Sequence, residues 1–542
     1  MGAAIEEIAK LLGNFGRYQA FLYALVFLPG FMAGLLSLTF SWTGYTPNVR
    51  CVLPGETTSN ANYSAIDDTH LRDRWYPPSA DQNEERALCT YCPNSTLCKK
   101  ENAIKCDRGI VYDTSIFKTS LIIEYEMVCE DSYKKEVTRV CYMLGVFMGA
   151  LICGTLSDRY GRRRSFLFFG LTSIIFLNVE FLLLGLGYIP MLITYFIAGA
   201  MGDGAYLTSY VLFMESVGGF PKTLLGVWFQ ATYTIGMFYA ALIAYYQREW
   251  KMIQIFYGIP PLFYLLYFWL FPESYRWALT NHKPELSKKL IARASKWNNV
   301  VVPEKLILEA SAETKTEFEG ANILNMFRNG SHLAKQTLII GVTWLATSMS
   351  YYGLTFNTQD LPGDVFLSYC LSAASELPGF LLCVPIMEKL GRRTALVIFL
   401  GTGGVSCIGA GLIKEKTAVL ILAMIGKMCA AAAYAIIYNY TVEVFPTVLR
   451  SSGTSFGSMS GRIGSISAPL LHNLATYVLD WLPIVIYGTM AVFASVLDLF
   501  LPETKGREYP ETIEDAIHYN DKEYWEIKQR NKQAENNLTT KL

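Results

Sequence analysis

The sequence predicts an all-α membrane protein with twelve membrane-crossing helices arranged as two six-helix bundles. Three observations carry this expectation. Of the 542 residues, 52% are hydrophobic and only 17% are charged, a sparse charge for a soluble chain of this length. Twelve apolar runs are each long enough to cross a bilayer, at roughly 20 residues per crossing. The chain also repeats itself: Gly154-Thr155-Leu156-Ser157-Asp158-Arg159-Tyr160-Gly161-Arg162-Arg163 is matched by Val384-Pro385-Ile386-Met387-Glu388-Lys389-Leu390-Gly391-Arg392-Arg393, offset by 230. Pro272-Glu273-Ser274 returns as Pro502-Glu503-Thr504 at the same offset, and Glu215 as Glu443 at an offset of 228. A charged loop repeated at half the chain length marks a duplicated membrane unit, and duplicated halves can rock about a central site.

The elements follow in chain order. Residues 1–19 read as a cytosolic N-terminus without a cleavable leader, because the first apolar run, 20–40, is long enough to span. Residues 41–136 form a long polar segment, predicted to be an extracellular, disulfide-rich, glycosylated loop. Runs two to six, at 137–156, 165–186, 190–213, 224–246 and 251–271, complete the first bundle. Residues 272–335 are charged, and Lys283 to Glu319 spaces its apolar residues helically among Lys and Glu, which predicts surface helices in a cytosolic linker. Runs seven to twelve, at 336–356, 363–386, 394–413, 417–440, 453–476 and 481–501, make the second bundle, with a cytosolic tail at 502–542. Orientation follows from Lys and Arg in short loops. Arg159, Arg162, Arg163, Arg164, Lys389, Arg392, Arg393 and Arg450 all fall on the side that carries both termini. That side is cytosolic, as in a multi-pass plasma-membrane protein.

Cys51, Cys89, Cys92, Cys98, Cys106 and Cys129 lie in the polar segment, and the other cysteines lie in apolar runs. The first set reads as a disulfide framework whose pairing stays open; the second packs as small apolar side chains. Cys89 and Cys92 have a zinc-like spacing, but an oxidising compartment favours disulfides, and no metal is expected. Asn62-Tyr63-Ser64 and Asn94-Ser95-Thr96 are glycosylation sequons in the same segment. This exposed segment is also a candidate contact between copies of the chain, as a homo-oligomer. Zero net charge gives no sign of a nucleic-acid partner. The lack of a Gly-x-x-x-x-Gly-Lys loop or a metal-ligand cluster speaks against an enzyme or a bound cofactor.

In each twin loop, Asp158, Arg159 and Arg162, or Glu388 and Arg392, lie where two helices meet. Glu215, Glu273, Glu443 and Glu503 at neighbouring helix ends are the obvious partners, with Arg450 beside them. Pairs of this kind are expected to hold the two bundles together on the cytosolic side and to break as the bundles rock apart. The first copy is expected to hold the tighter lock, because the second has Val384 for Gly and Glu388 for Asp. The bland reading is topogenic charge that only orients helices. Inside the apolar runs stand Asp203, Glu376, Lys427 and Arg462. Charges there cost at least about 2.5–3.5 kcal/mol and usually face a cavity. Glu180 and Asp498 lie nearer run ends and are expected to be solvated.

These motifs resemble a known family. The Gly-x-x-x-Asp-Arg-x-Gly-Arg-Arg loop is similar to that of the major facilitator superfamily. Pro272-Glu273-Ser274-Tyr275-Arg276-Trp277 and Leu501-Pro502-Glu503-Thr504-Lys505-Gly506 resemble its sugar porters and organic-ion transporters. Three further features look like the solute carrier 22 group of organic cation, carnitine and organic anion transporters. They are Thr46-Pro47 and Cys51 at the start of the long cysteine segment; Glu126-Met127-Val128-Cys129-Glu130-Asp131-Ser132 at its end; and Glu443-Val444-Phe445-Pro446-Thr447-Val448-Leu449-Arg450 followed by Gly461-Arg462-Ile463-Gly464-Ser465-Ile466. The resemblance runs from Gly13-Asn14-Phe15-Gly16 to Glu511-Thr512-Ile513-Glu514. It implies a major facilitator fold and a mid-membrane substrate cage of aromatics with a few polar groups. The positions it implies are Tyr206 in run four, Gln230 and Tyr233 in run five, Trp344 and Tyr351 in run seven, Glu376 in run eight, Tyr438 and Tyr440 in run ten, and Arg462 in run eleven.

Aromatic faces attract organic cations, at roughly 0.5–2 kcal/mol each. Asp203 departs from the family pattern, in which this region of run four is basic or polar. A mid-membrane Asp needs a cation, and Asp203 against Arg462 across the cavity would give a site of both signs, suited to a zwitterion. The alternative is a structural pair within its own bundle. Phe380 stands where anion carriers tend to carry a second Lys, and Ala33 where carnitine carriers carry a polar residue. The leading expectation is a secondary transporter of small organic cations or carnitine-like zwitterions, working by alternating access. An organic anion carrier is the alternative, favoured by Arg462 and by Ala346-Thr347-Ser348 before Tyr351-Tyr352-Gly353. A non-transporting receptor or scaffold of the same fold is the third.

Overall fold

A helix that meets neighbours on one side and lipid on the other can be apolar nearly all round, and must satisfy its own backbone. The computed structural model describes residues 3–57, 61–64, 75–76, 87–92, 103–183, 187–281, 283–313, 331–360, 363–446, 449–477, 479, 481–505, 510, 513–519 and 524. Among them are twelve spanning segments: α1 (Arg17–Ser37), α2 (Tyr133–Tyr160), α3 (Arg162–Leu183), α4 (Tyr188–Ser216), α5 (Gly219–Gln247), α6 (Trp250–Gly258, continued by Tyr264–Leu270), α7 (Ser331–Phe356), α8 (Val365–Leu390), α9 (Arg392–Leu412), α10 (Lys416–Val444), α11 (Arg450–Tyr477) and α12 (Leu482–Asp498). Seven of them, α1 with the short Thr39–Thr43 helix, α2, α5, α6 with its continuation, α8, α9 and α10, are long and apolar enough to cross a membrane by length and composition alone.

Most of the helices begin before the apolar runs that predicted them, because polar end residues continue the coil beyond the apolar zone, whereas α8 and α12 begin after the starts of theirs. Thus α1 begins at Arg17, inside the predicted terminal segment 1–19, which also holds a helix at Ala3–Leu11. Run six is not one helix: it breaks at Pro260-Pro261 into a 3-10 turn, since proline cannot donate to the preceding turn. Two starts are capped by carboxylates. Asp364 accepts from Leu367 N at 2.8 Å before α8, and Glu415 accepts from Ala418 N at 2.6 Å before α10.

The segments α1–α6 form one half and α7–α12 the other. Within the halves, α2 packs on α4, α1 on α5, α7 on α11 and α9 on α12; between them, α5 meets α8 and α2 meets α11. Close approach within the first half needs Gly145 on α2, where a Cβ would lie 2.0 Å from Phe196 O of α4.

All the spans turn at one of two ends. The disulfide end carries the segment between α1 and α2. There Val49–Cys51 pairs with Ala87–Leu88 and Ile110–Tyr112, and disulfides join Cys51 to Cys106 and Cys89 to Cys129. Cys92 is disulfide-bonded too, whereas Cys98 and Asn94 lie outside the described residues. Asn62 is exposed, with its Oδ1 accepting from Ser64 N at 3.2 Å. Buried Arg50 clasps Glu56 at 2.7 Å and donates to Asn62 O at 2.6 Å. At the opposite, twin-loop end, linker helices Pro284–Asn298 and Glu304–Glu313 pack beneath the first half. Asn298 Nδ2 donates to Leu12 O at 2.8 Å, and its Oδ1 accepts from Tyr18 N at 2.9 Å.

Candidate functional site

The repeated loops fold into repeated structures. Gly161 ends α2 at φ +101°, and Gly391 ends α8 at φ +98°, conformations that favour glycine. A Cβ at Gly161 would lie 2.3 Å from Glu273 Oε2, and one at Gly391 would lie 2.4 Å from the Glu503 carboxyl carbon. These glutamates sit over the starts of the next helices. Glu273 Oε1 accepts from Arg162 N at 2.7 Å and Arg163 N at 3.2 Å; Glu503 Oε1 accepts from Arg392 N at 2.8 Å. A carboxylate at a helix N-terminus satisfies its free N–H groups and complements its dipole. Burial pushes the Glu273 carboxyl above the usual carboxylate range, while the amides of Ser274, Arg163 and Arg162 pull it down.

The arginine side chains complete each network. Arg162 meets Asp158 at 2.9 Å and Glu215 at 2.7 Å. Arg392 meets Glu388 at 3.4 Å and Glu443 at 3.2 Å, and Glu443 Oε2 also accepts from Thr504 Oγ1 at 2.6 Å. Every one of these ties lies within one half. The expected ties from one bundle to the other are not among these contacts in this arrangement: chain duplication gave each half its own acid and base, and each base here meets the acid on its own side. Arg159 lies over the Tyr160 ring at 5.5 Å, and the Arg450 side chain lies outside the described residues.

Between the halves lies a cavity whose empty space, open solvent included, is about 780 Å³. Seven tyrosines line it: Tyr142, Tyr206 and Tyr233 from the first half, and Tyr351, Tyr352, Tyr434 and Tyr438 from the second. Ala33, Ser37, Gln230 and Phe380 complete much of the remaining wall. The rings form a continuous layer, with Tyr434 5.7 Å from Tyr438, 5.6 Å from Tyr351, and Tyr233 6.3 Å from Tyr351 across the halves. Tyr206 donates to Gln230 Oε1 at 3.1 Å, and Tyr233 bonds Ser37.

Both signs of charge face this cavity. Arg462 of α11 donates to Asp203 Oδ1 of α4 at 2.8 Å, so this pair joins the halves. Asp203 Oδ2 is buried and has no hydrogen-bond partner among the described residues. Glu376 of α8 accepts from Tyr351 at 2.8 Å and, across the halves, from Thr234 of α5 at 2.7 Å. Lys427 of α10 lies 3.1 Å from Glu376.

At the disulfide end the halves are closed by rings. Phe366 of α8 stacks on Trp42 at 5.1 Å, lies 5.7 Å from Phe117 and 5.4 Å from Tyr245, and has the Arg248 guanidinium 4.3 Å from its centroid. Nearby, buried Arg139 of α2 pairs with Glu136 at 3.0 Å and lies over the Phe356 ring of α7 at 5.4 Å.

Of the residues singled out in the sequence, Asp203, Tyr206, Gln230, Tyr233, Tyr351, Glu376, Tyr438 and Arg462 come together on the cavity wall. Two do not. Trp344 stands behind Tyr438, edge-on at 4.5 Å, with its Nε1 donating to Thr441. Tyr440 faces away from the cavity and donates to Pro502 O at 2.5 Å. Two residues on a helix are about 200° apart, so Tyr440 cannot share the face of Tyr438. Asp498 is not solvated but fully buried, and it accepts from Thr343 at 2.6 Å where α12 packs on α7; the Glu180 side chain lies outside the described residues. Tyr142, Tyr352, Tyr434 and Ser37 were not singled out. Tyr434 had a signal, standing four residues before Tyr438.

Known proteins share this architecture and sequence. Residues 102–515 match the family described as "Sugar (and other) transporter". The "Organic cation transporter protein" of Drosophila melanogaster is 32% identical over 540 residues, covering 95% of each chain. "Organic cation/carnitine transporter 2" of Homo sapiens is 28% identical over 534 residues, covering 94% of each. The xylose:proton symporter XylE with a bound bromo-deoxyglucose superposes with a TM-score of 0.62 at 16% identity, over 93% of this chain and 99% of that one. XylE in a partially occluded inward-open conformation gives 0.59 at 14% identity, over 91% of this chain and 99% of that one. With twelve spans in two halves around a tyrosine-lined cavity of both charges, the chain belongs to the solute carrier 22 family of major facilitator membrane transporters.

Proposed function

We propose that this transporter moves small organic cations or zwitterions across the plasma membrane by alternating access. One observation carries the reading: Asp203 and Arg462 form a pair 2.8 Å apart across the two halves, on a wall of tyrosines, and Asp203 keeps an unpartnered oxygen. An ammonium can take that oxygen with ring faces around it, each worth roughly 0.5–2 kcal/mol. A carboxylate on the same molecule can share the Arg462 fork. Substrate would thereby replace a tie between the halves, which couples binding to rocking. The names of the fly and human relatives support cations and carnitine-like compounds.

The disulfide segment, with its sequon at Asn62, would face outside, and both termini and the twin loops would face the cytosol. The twin-loop networks would then act as rigid clamps on each moving half. An anion carrier is the second reading, resting on Arg462; Asp203 in direct contact with that guanidinium counts against it.

The test is competition uptake in cells expressing the full chain, with labelled tetraethylammonium, carnitine and benzoate. Saturable uptake of either of the first two supports the proposal, preference for benzoate selects the anion reading, and saturable uptake of none sinks the carrier reading. Asp203→Asn should reduce uptake of a preferred cation or zwitterion at least about tenfold, the loss of one charge-assisted contact.

A further inference from the structure

Glu376 is the acid a cation subsite would be built on, and it already holds a cation. Lys427 Nζ lies 3.1 Å from Glu376 Oε1. Its other donors go to Tyr351 O at 3.3 Å and to Thr355 Oγ1, and it sits 3.3 Å from the centre of the Tyr351 ring. An ammonium has three donors, and all three are used. Lys427, Tyr351, Thr355 and Glu376 all belong to the second half, so this pair travels intact as the halves rock. Lys427 does not line the main cavity; it reaches Glu376 from behind, beside a small cleft with Asn357 and Ser372. Substrate therefore meets the Glu376 carboxylate but not the ammonium that neutralises it. Thr234, from the other half, occupies Oε2 in this closed arrangement.

The charges around the cavity thus cancel: Asp203 against Arg462, and Glu376 against Lys427. A monocation entering a low-dielectric site of zero net charge leaves it positive, whereas a zwitterion leaves it neutral. We infer that Lys427 is a specificity-determining residue acting through Glu376, a tethered ammonium that weakens the site for monocations and so favours zwitterions. This rests on the carrier reading above.

The experiment measures KM for tetraethylammonium and carnitine, and inhibition by benzoate, with surface amount quantified, in the full chain and three variants. Lys427→Gln should lower the tetraethylammonium-to-carnitine KM ratio about tenfold, a change of about 1.4 kcal/mol. Glu376→Gln, which leaves Lys427 uncompensated, should raise that ratio and strengthen benzoate inhibition. The double variant, neutral again, should return the ratio to within about threefold of the original, a non-additivity expected of contacting charges. A purely structural Lys427 would change amount and stability but not a ratio between charge classes. The inference is overturned if Lys427→Gln transports with an unchanged ratio, or if the double variant keeps the Glu376→Gln ratio. It is also overturned if both Lys427 variants fail to reach the membrane while Glu376→Gln succeeds, which assigns Lys427 to folding. If the unaltered chain takes up none of the probes saturably, the carrier reading itself has failed, a result distinct from an unmoved ratio.

Discussion

Tyr434 and Tyr438 stand four residues apart on α10 and share its cavity face, while Tyr440 turns to Pro502. Tyr434→Ala should therefore raise KM for a transported quaternary amine several-fold, one ring face being worth about 0.5–2 kcal/mol. Tyr440→Phe should leave KM alone and lower thermal stability by the roughly 1 kcal/mol of a lost buried hydrogen bond. Uptake kinetics beside a melting curve separate the two, and an unmoved KM for Tyr434→Ala would place the cage elsewhere. The cavity charges were legible at this scale because a charge inside an apolar run is conspicuous. The tyrosines were only partly so, because tyrosine is ordinary in membrane helices and only position on the helix face separates a wall from a strut. Outside the membrane, Glu56 carries a pH dependence. Burial pushes its carboxyl up, but hydrogen bonds from Arg50 and Leu53 N and the Arg50 charge outweigh this and hold it below the usual range. A depressed folded value means stability that is present above the unfolded value and lost as pH falls through the folded one. Proteolysis of the disulfide segment should thus accelerate on acidification below about pH 4.5, and Glu56→Gln should flatten that profile.

At the scale of elements, helix number and halves were legible because apolar length and a 230-residue repeat are properties of sequence alone. The break in α6 was written in Pro260-Pro261, yet hydropathy passes through proline unaltered. The partners of the twin loops were legible as residues but not as geometry. Opposite charges at 158, 162, 215 and 273 say that they can meet, not in which half, and duplication supplied a complete set to each. Closure at the disulfide end had no signal, because Trp42, Phe117, Tyr245 and Phe366 are far apart in the chain and individually unexceptional. Phe366 is its keystone, touching three rings and one guanidinium of the opposite half. Aromatic pairs add about 0.5–1.5 kcal/mol each and a cation over a ring about as much. Phe366→Ala should therefore open that end. A cysteine placed at Ser37, on the cavity wall, should react at least several-fold faster with a membrane-impermeant thiol reagent in the Phe366→Ala background. Equal labelling rates would mean that the ring cluster is packing and not closure.

For the whole molecule, rocking requires rigid halves and few, exchangeable ties between them. The twin-loop networks supply rigidity, since Glu273, Glu215 and Glu443 each bind groups of their own half. The exchangeable ties include Asp203 with Arg462 and Thr234 with Glu376. Substitutions in the two classes should then fail differently. Glu215→Ala strips Arg162 of its shortest partner and leaves a buried guanidinium under-satisfied, at a cost of about 3–5 kcal/mol for a buried pair. It should lower melting temperature and surface amount, while the protein that survives keeps its KM. Thr234→Val keeps the volume and removes only the donor that Glu376 Oε2 accepts when the disulfide end is closed. Losing that bond costs about 1–3 kcal/mol in the closed state alone, so the population should shift about fivefold or more toward the open state with little change in melting temperature. The Ser37 cysteine reports that shift directly, and turnover reports its functional consequence. If Thr234→Val instead melts the protein while labelling stays slow, the bond is part of a static core, and the halves must separate along some other seam.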